Sequence, residues 1–429
     1  MTALIISIFI FGYLAIAFEH STKINKAAPA LITGVLCWAV YSIFTADQLH
    51  IETQLAGSLS EYAAILFFLM GAMTIVAIID AHDGFKIITR RITTTSKRKL
   101  LWIISLITFF LSSFLNNLTT AIVMVSLMQK LVDDADDRNY FIGMIVIAAN
   151  AGGVWSPIGD VTTTMLWLGG QITAGNIMLK LFLPSIINLI VPLLLLSRRM
   201  KGRIDRKEIK AVQHAPVNVG RRRQWIVFLS GFLILVSVPV FKTITHLPPY
   251  MGILIGLGLM WIITEITGGN QEESERYGLS PAYALRRIDT PSILFFLGIL
   301  LSIGALQASG ILVGVARWLG ANIGNDSFIV MGIGLLSAIV DNVPLVAATQ
   351  GMYTLQQYPS DHYFWEFIAY ATGTGGSALI IGSAAGVAAM GMVKTDFFWY
   401  LKRITWLALA GYFAGAVIYI LQEMIIKNF

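Results

Sequence analysis

Runs of about 20 apolar residues recur along the chain, at about 2 to 18, 27 to 45, 60 to 79, 176 to 197, 224 to 242, 248 to 267, 291 to 309 and 404 to 424. Each is long enough to cross the roughly 30 Å hydrocarbon core of a bilayer as a helix. Two longer runs, about 140 to 169 and 363 to 393, are interrupted by glycines. Two more, about 100 to 131 and 326 to 355, carry a polar motif near the middle. At 1.5 Å rise per residue, about 30 residues cross once with an overhang and cannot cross twice. The pattern therefore predicts re-entrant helical hairpins over 100–131 and 326–355, their non-helical tips sheltered inside protein. It predicts broken helices over 140–169 and 363–393. The competing reading of each hairpin is one long tilted helix with a polar kink.

The two polar motifs are copies of one phrase. Ser112-Ser-Phe-Leu-Asn116-Asn117-Leu-Thr119 aligns without gaps on Ser337-Ala-Ile-Val-Asp341-Asn342-Val-Pro344, with Ser112 over Ser337, Asn116 over Asp341 and Asn117 over Asn342. The interruptions pair as well. Asn150-Ala-Gly152-Gly153-Val-Trp-Ser156-Pro-Ile-Gly159-Asp160 aligns with Gly373-Thr-Gly375-Gly376-Ser377-Ala-Leu-Ile-Ile-Gly382-Ser383. Paired interruptions in corresponding positions of two halves point to the binding site of a transporter. The fold expected is an all-α polytopic membrane protein of two inverted-topology repeats, with about 10 transmembrane helices, two re-entrant hairpins and two discontinuous helices. Its expected parts are N-terminal scaffold helices over 1–59, a first repeat over 60–197, a basic linker over 198–223 and a second repeat over 224–429.

Composition and charge agree with this layout. With 56% hydrophobic and 13% charged residues, the chain has too little polar surface for a water-soluble domain. If the first span starts outside and both hairpins return to their side of entry, 26 of the 30 basic residues fall in cytoplasmic linkers. The exceptions are Lys180, Lys242, Arg317 and Lys427, an asymmetry that matches the positive-inside rule. Both termini are then outside, and the first hairpin enters from the cytoplasm and the second from outside. The first span lacks a preceding positive residue and is expected to be retained rather than cleaved. Net charge of +6 calls for anionic lipid headgroups, not nucleic acid. The segment from Phe85 to Arg91 could lie along the interface as an amphipathic helix. One cysteine, Cys37, permits no internal disulfide, and all six histidines fall in linkers or at span ends, where they read as ordinary solvated residues.

Carboxylates at membrane depth are expensive and are functional candidates by default. On this topology the only two near the midplane are Asp160 and Asp341. Ser156, Thr162, Thr163 and Thr164 surround the first, Ser337 and Asn342 the second. Such oxygen donors suit a small hard cation, sodium or lithium, and suit an anion poorly. Unwinding at Gly152, Gly153, Gly375 and Gly376 would add backbone carbonyl ligands; the simpler role for these glycines is close helix packing. A carboxylate that takes either the cation or a proton, with alternating access, yields cation/proton antiport by competition. The expectation is thus a transporter with no cofactor, not an enzyme. An intramembrane aspartyl protease is disfavoured because no Tyr-Asp dipeptide is present.

Several segments carry a resemblance. Thr119-Thr-Ala-Ile-Val-Met, Ala148-Ala-Asn-Ala-Gly-Gly, Trp155-Ser-Pro-Ile-Gly-Asp-Val-Thr-Thr-Thr-Met-Leu-Trp, Leu247-Pro-Pro-Tyr-Met-Gly-Ile-Leu, Ile339-Val-Asp-Asn-Val-Pro-Leu-Val-Ala-Ala-Thr and Gly373-Thr-Gly-Gly-Ser-Ala-Leu-Ile-Ile-Gly-Ser-Ala-Ala-Gly are similar to NhaD-type sodium/proton antiporters of the ion transporter superfamily. The resemblance runs from about residue 60 to the end. It implies sodium or lithium extrusion driven by proton entry, a homodimer, an elevator-like motion, and a bacterial inner membrane ahead of a plastid envelope. A sodium-coupled importer of a carboxylate or other anion is the alternative within that superfamily. One position departs from the family pattern: where Asp is typical, this chain has Asn116, which keeps an oxygen but loses the titratable proton. Either this protein works with fewer carboxylates, or it is an Asp→Asn variant that traps one state. The cation-site candidates are therefore Asp341, Asn342, Ser337, Asp160, Asn116, Asn117, Ser112, Thr119, Asn150, Ser156 and the four glycines.

Overall fold

The structure, a computed structural model, describes residues 1–17, 19–45, 47–85, 87, 92, 94–204, 219–268, 278–393 and 395–427. Among them there is no strand, and a single β-bridge joins Ser96 to Arg203. The main helices are α1 (Thr2–Ala17), α2 (Ala27–Phe44), α3 (Gln48–Ala81), α4 (Lys97–Leu115), α5 (Asn117–Leu131), α6 (Ala135–Gly153), α7 (Val161–Leu168), α8 (Ala174–Ser197) and α9 (Arg221–Thr245). They continue with α10 (Pro249–Thr267), α11 (Thr290–Ala308), α12 (Ile311–Asn322), α13 (Asp326–Leu336), α14 (Asn342–Met352), α15 (Tyr363–Gly375), α16 (Ala384–Val393) and α17 (Thr405–Lys427).

Eight of the described helices are long and apolar enough to cross a membrane. Seven coincide with predicted spans. The eighth is α4, expected as a hairpin arm, whereas α1, α7, α15 and α16 are shorter and the 19-residue α6 begins on the charged turn Asp136-Asp137-Arg138. The 34-residue α3 begins about 12 residues before the predicted span, because Asp47 caps it through His50 N at 3.0 Å and the polar turns 48–59 are helical without being apolar. Hydropathy cannot see such an extension. The helix α12, amphipathic and unforeseen, fills the interval before the second motif.

Both motif regions divide into two helices at the polar phrase: α4 and α5 meet at Asn116, and α13 and α14 flank 337–341. Both glycine-rich regions break as predicted, between α6 and α7 and between α15 and α16. Every residue from Tyr140 to Gly153 and from Phe364 to Gly375 is buried, so the broken helices form the centre of the molecule. Around them pack α4, α5, α8, α13, α14, α16 and α17. The helices α1, α2, α3, α9, α10 and α11 pack chiefly on one another, and touch the central group mainly where α11 and α12 meet α14 and α3 meets α7. Most of the proposed interfacial segment beyond Phe85, most of the 198–223 linker and His214 fall outside the described residues.

Candidate functional site

Three of the singled-out residues do the same structural work. Asn116, Asp160 and Asp341 are the N-caps of α5, α7 and α14, accepting from the backbone N–H of Leu118 (2.9 Å), Thr162 (3.2 Å) and Val343 (3.4 Å). A helix N-terminus carries partial positive charge and favours a carboxylate there. The breaks in the chain thus place Asp160 and Asp341 where a backbone field stabilises their charge.

Asp160 is the hub. It is 2% exposed, and its Oδ2 accepts from Asn117 Nδ2 at 3.0 Å and Asn342 Nδ2 at 3.3 Å, one amide from each motif. Asn117 Nδ2 also reaches Asn150 Oδ1 at 3.1 Å. Asn150 Nδ2 in turn donates to Ser377 Oγ and Ser383 Oγ, both at 2.9 Å, in the second glycine-rich break. Thr163 and Thr164 hydroxyls donate to the Asp160 carbonyl at 2.9 Å. The result is one carboxylate amid neutral amides and hydroxyls, drawn from both halves of the chain. Ser377 and Ser383 join it although they were absent from the predicted site. In the alignment of the two breaks Ser377 stands over Val154 and Ser383 over Asp160, so only the second of them had a polar counterpart to signal it.

The repeated serines make the same contact twice. Ser112 Oγ donates to Ala149 O at 2.5 Å, and Ser337 Oγ donates to Thr372 O at 2.7 Å, each tying a motif to a broken helix. The glycines serve packing. A Cβ at Gly152 would stand 2.1 Å from Phe109 O, and one at Gly375 would stand 1.9 Å from Gly334 O. At Gly153 and Gly376 it would meet the carbonyls of Gly159 and Gly382, at 2.7 and 2.6 Å, where the chain folds back at each break. Ser156 is buried in the first break and accepts from Ile158 N at 3.4 Å. Thr119 is half-buried on α5, outside this set of hydrogen bonds.

The two residues at which the motifs disagree face different surroundings. Asn116 has φ 75° and ψ 144°, a region that disfavours side chains, and borders a small cavity of about 20 Å³ with Phe68, Ala72, Met73, Phe114 and Ile158. Asp341 instead holds an ion pair: Lys26 Nζ donates to its Oδ2 at 3.0 Å. Lys26 was expected only as a cytoplasmic linker charge.

One buried carboxylate was not among the candidates, and one expectation needs correction. Glu366, one turn into α15, is buried as Asp160 is and is held by Asn176 Nδ2 and by Tyr419 OH at 2.7 Å, whereas Asp341 is only half-buried. His82, expected to be solvated, is fully buried at the C-cap of α3, with Nδ1 2.8 Å from Ile78 O.

Helices broken at buried polar centres, in a chain of apolar spans, define a membrane transporter rather than an enzyme. Comparison with known proteins specifies which kind. The family model described as "Citrate transporter" matches residues 13–374. Over 409 residues the chain is 51% identical to "Sodium/proton antiporter 1" of Arabidopsis thaliana, covering 95% of this chain and 70% of that protein. It is 30% identical over 448 residues to "Na(+)/H(+) antiporter NhaD" of Alkalimonas amylolytica, covering 97% and 89%. The crystal structure of the Alcanivorax borkumensis YdaH transporter, described as having an unusual topology, shares the fold with a TM-score of 0.59 at 12% identity, over 92% of this chain and 98% of that one. The chain belongs to the citrate-transporter family CitMHS and groups with the NhaD-type antiporters of the ion transporter superfamily.

Proposed function

We propose that this protein exchanges sodium or lithium for protons across a membrane by alternating access. The observation that carries the reading is Asp160: a buried carboxylate at a helix N-terminus, reached by one neutral side-chain amide from each half of the chain. A single carboxylate so placed holds one small cation or one proton, and competition between them couples their movements. Asn117 and Asn342 now turn Nδ2 toward Asp160. Rotating either amide by half a turn presents Oδ1 instead, so the same side chains serve an empty carboxylate and a cation-loaded one.

The matching contacts of Ser112 and Ser337, and of Gly152 and Gly375, support an inverted repeat with two re-entrant motifs. The separate packing of α1–α3 and α9–α11 supports a scaffold against which the central helices move like an elevator. The reading extends to a homodimer in a bacterial cell membrane with both termini outside, the plastid envelope being the second location.

The family description favours a second reading, sodium-coupled uptake of a carboxylate. Helix N-termini are natural anion sites. Here, however, two of the three N-termini capped by Asn116, Asp160 and Asp341 are filled by the protein's own carboxylates. Proteoliposomes decide between the two. An imposed sodium gradient should move protons without added citrate; sodium-dependent citrate uptake with no proton movement would overturn the antiport reading.

A further inference from the structure

The ion pair between Lys26 and Asp341 ties the second motif to the outer group of helices, and its construction is unusual. Lys26 is the N-cap residue of α2, where the helix field opposes a positive side chain. Its backbone is held all the same: Lys26 N donates to Glu19 Oε1 at 3.2 Å, and Ala27 N donates to Asn25 Oδ1 at 2.9 Å. The ammonium lies 4.2 Å from the centroid of the buried Phe295 ring, on α11. An aromatic face attracts a cation by its quadrupole. Phe295 and Lys26 thus belong to the outer group of helices, where α2 and α11 pack together, while Asp341 caps α14 in the central group. The seat of the ammonium is independent of the carboxylate it touches.

We propose that Lys26 is a tethered competitor of the transported cation at Asp341. The ammonium occupies the position on Oδ2 that a sodium or lithium ion would take, and it stays on its aromatic seat when Asp341 moves away. In the arrangement described, it displaces the cation and holds the emptied carboxylate; a new cation must displace Lys26 before the central helices leave. Side-chain exposures of 19% for Lys26 and 15% for Asp341 leave both groups within reach of entering ions. Tyr13, whose hydroxyl is buried without a partner among the described residues, lies within electrostatic reach of Asp341 and completes the polar surroundings on the α1 side. Lys26 is a positioning residue here, acting through Asp341. The inference rests on the antiport reading above.

The test is sodium and lithium binding by calorimetry on the purified full-length protein, with Lys26→Gln, Lys26→Arg, Asp341→Asn and the Lys26→Gln/Asp341→Asn double variant. Lys26→Gln should bind sodium about tenfold more tightly, a change of about 1.4 kcal/mol. Lys26→Arg, which retains the charge, should stay near the parent. In the Asp341→Asn background, Lys26→Gln should change affinity by less than about twofold, the sign of a coupled pair. A second measurement needs no variant: acetic anhydride labelling of Lys26, read by peptide mass spectrometry, should rise when sodium is added, because the ammonium is released. Unchanged or weaker sodium affinity in Lys26→Gln, an equal gain without Asp341, or labelling indifferent to sodium would overturn the proposal while leaving antiport standing. A parent protein that binds neither ion would overturn both.

Discussion

Asn342 and Asn117 donate to the same atom: Asp160 Oδ2 receives the first at 3.3 Å and the second at 3.0 Å, although 225 positions separate the two asparagines. Each motif thus contributes one amide to a carboxylate that belongs to neither. Asp160→Asn keeps a cap for Thr162 N but removes the charge and the exchangeable proton. Exchange in proteoliposomes should fall by at least about 100-fold, with the protein still folded by thermal melting, in line with the loss of an essential proton-transfer group. Near-normal exchange would remove Asp160 from the mechanism.

The two serine contacts predict a matched pair of effects. Ser112→Ala and Ser337→Ala each delete one buried hydrogen bond and leave a carbonyl, of Ala149 or of Thr372, short of that partner. Each should cost about 1 kcal/mol of stability. The measurement is thermal unfolding in detergent. A loss confined to one of the two would mean that the contacts are not equivalent.

Glycine packing predicts a larger loss. Gly152→Ala and Gly375→Ala would place a methyl about 2 Å from a backbone carbonyl, which has no rotamer with which to move aside. Overpacking of this kind costs about 1–3 kcal/mol or more. The yield of monodisperse protein on size-exclusion chromatography should drop for both, whereas Gly57→Ala, which meets nothing within 4 Å, should be neutral.

Asn116→Asp tests the letter at which the motifs disagree. A carboxylate there would face Phe68, Ala72 and Met73 rather than an ammonium. It should alter the sodium affinity and pH profile of exchange, since burial of an unpaired charge is costly and a proton or cation relieves it. An unchanged affinity, pH profile and rate would show that position 116 serves only the backbone turn.

Burial lowers the pKa of His82 to about 4, with the backbone bond to Ile78 opposing the shift and the charge of Arg223 adding to it. In the unfolded chain the imidazole takes its proton near pH 6.5. The unfolded state therefore binds more protons between these values, so the contribution of His82 is fully present above pH 6.5 and is lost as pH falls toward 4. Thermal melts from pH 7 to pH 4 should show a smaller acid loss in His82→Leu than in the parent. Equal slopes would mean that other groups govern the acid limb.

The spans, both breaks and the repeated phrase were legible in the sequence, because hydropathy period and glycine placement are local signals. The alignment of Ser112 with Ser337 carried its hydrogen bond with it, since each serine meets a carbonyl at nearly the same offset on the following broken helix. Lys26 was not legible: 315 residues separate it from Asp341, and a lysine before a span reads as a topology signal whether or not it has a partner. Glu366 went unnoticed and His82 was misplaced for a related reason. Both lie at the ends of apolar runs, where hydropathy reports nearness to water but only packing decides burial.

The bridges from Asn150 to Ser377 and Ser383 have a consequence for biosynthesis. They span 227 and 233 residues, so the Asn150 amide acquires these partners only after residue 383 has been translated. Asp160 waits 182 residues for Asn342. During elongation the first half must therefore reside in the membrane with its central polar groups incompletely matched, and final assembly of the core is a late event that follows insertion of the second half.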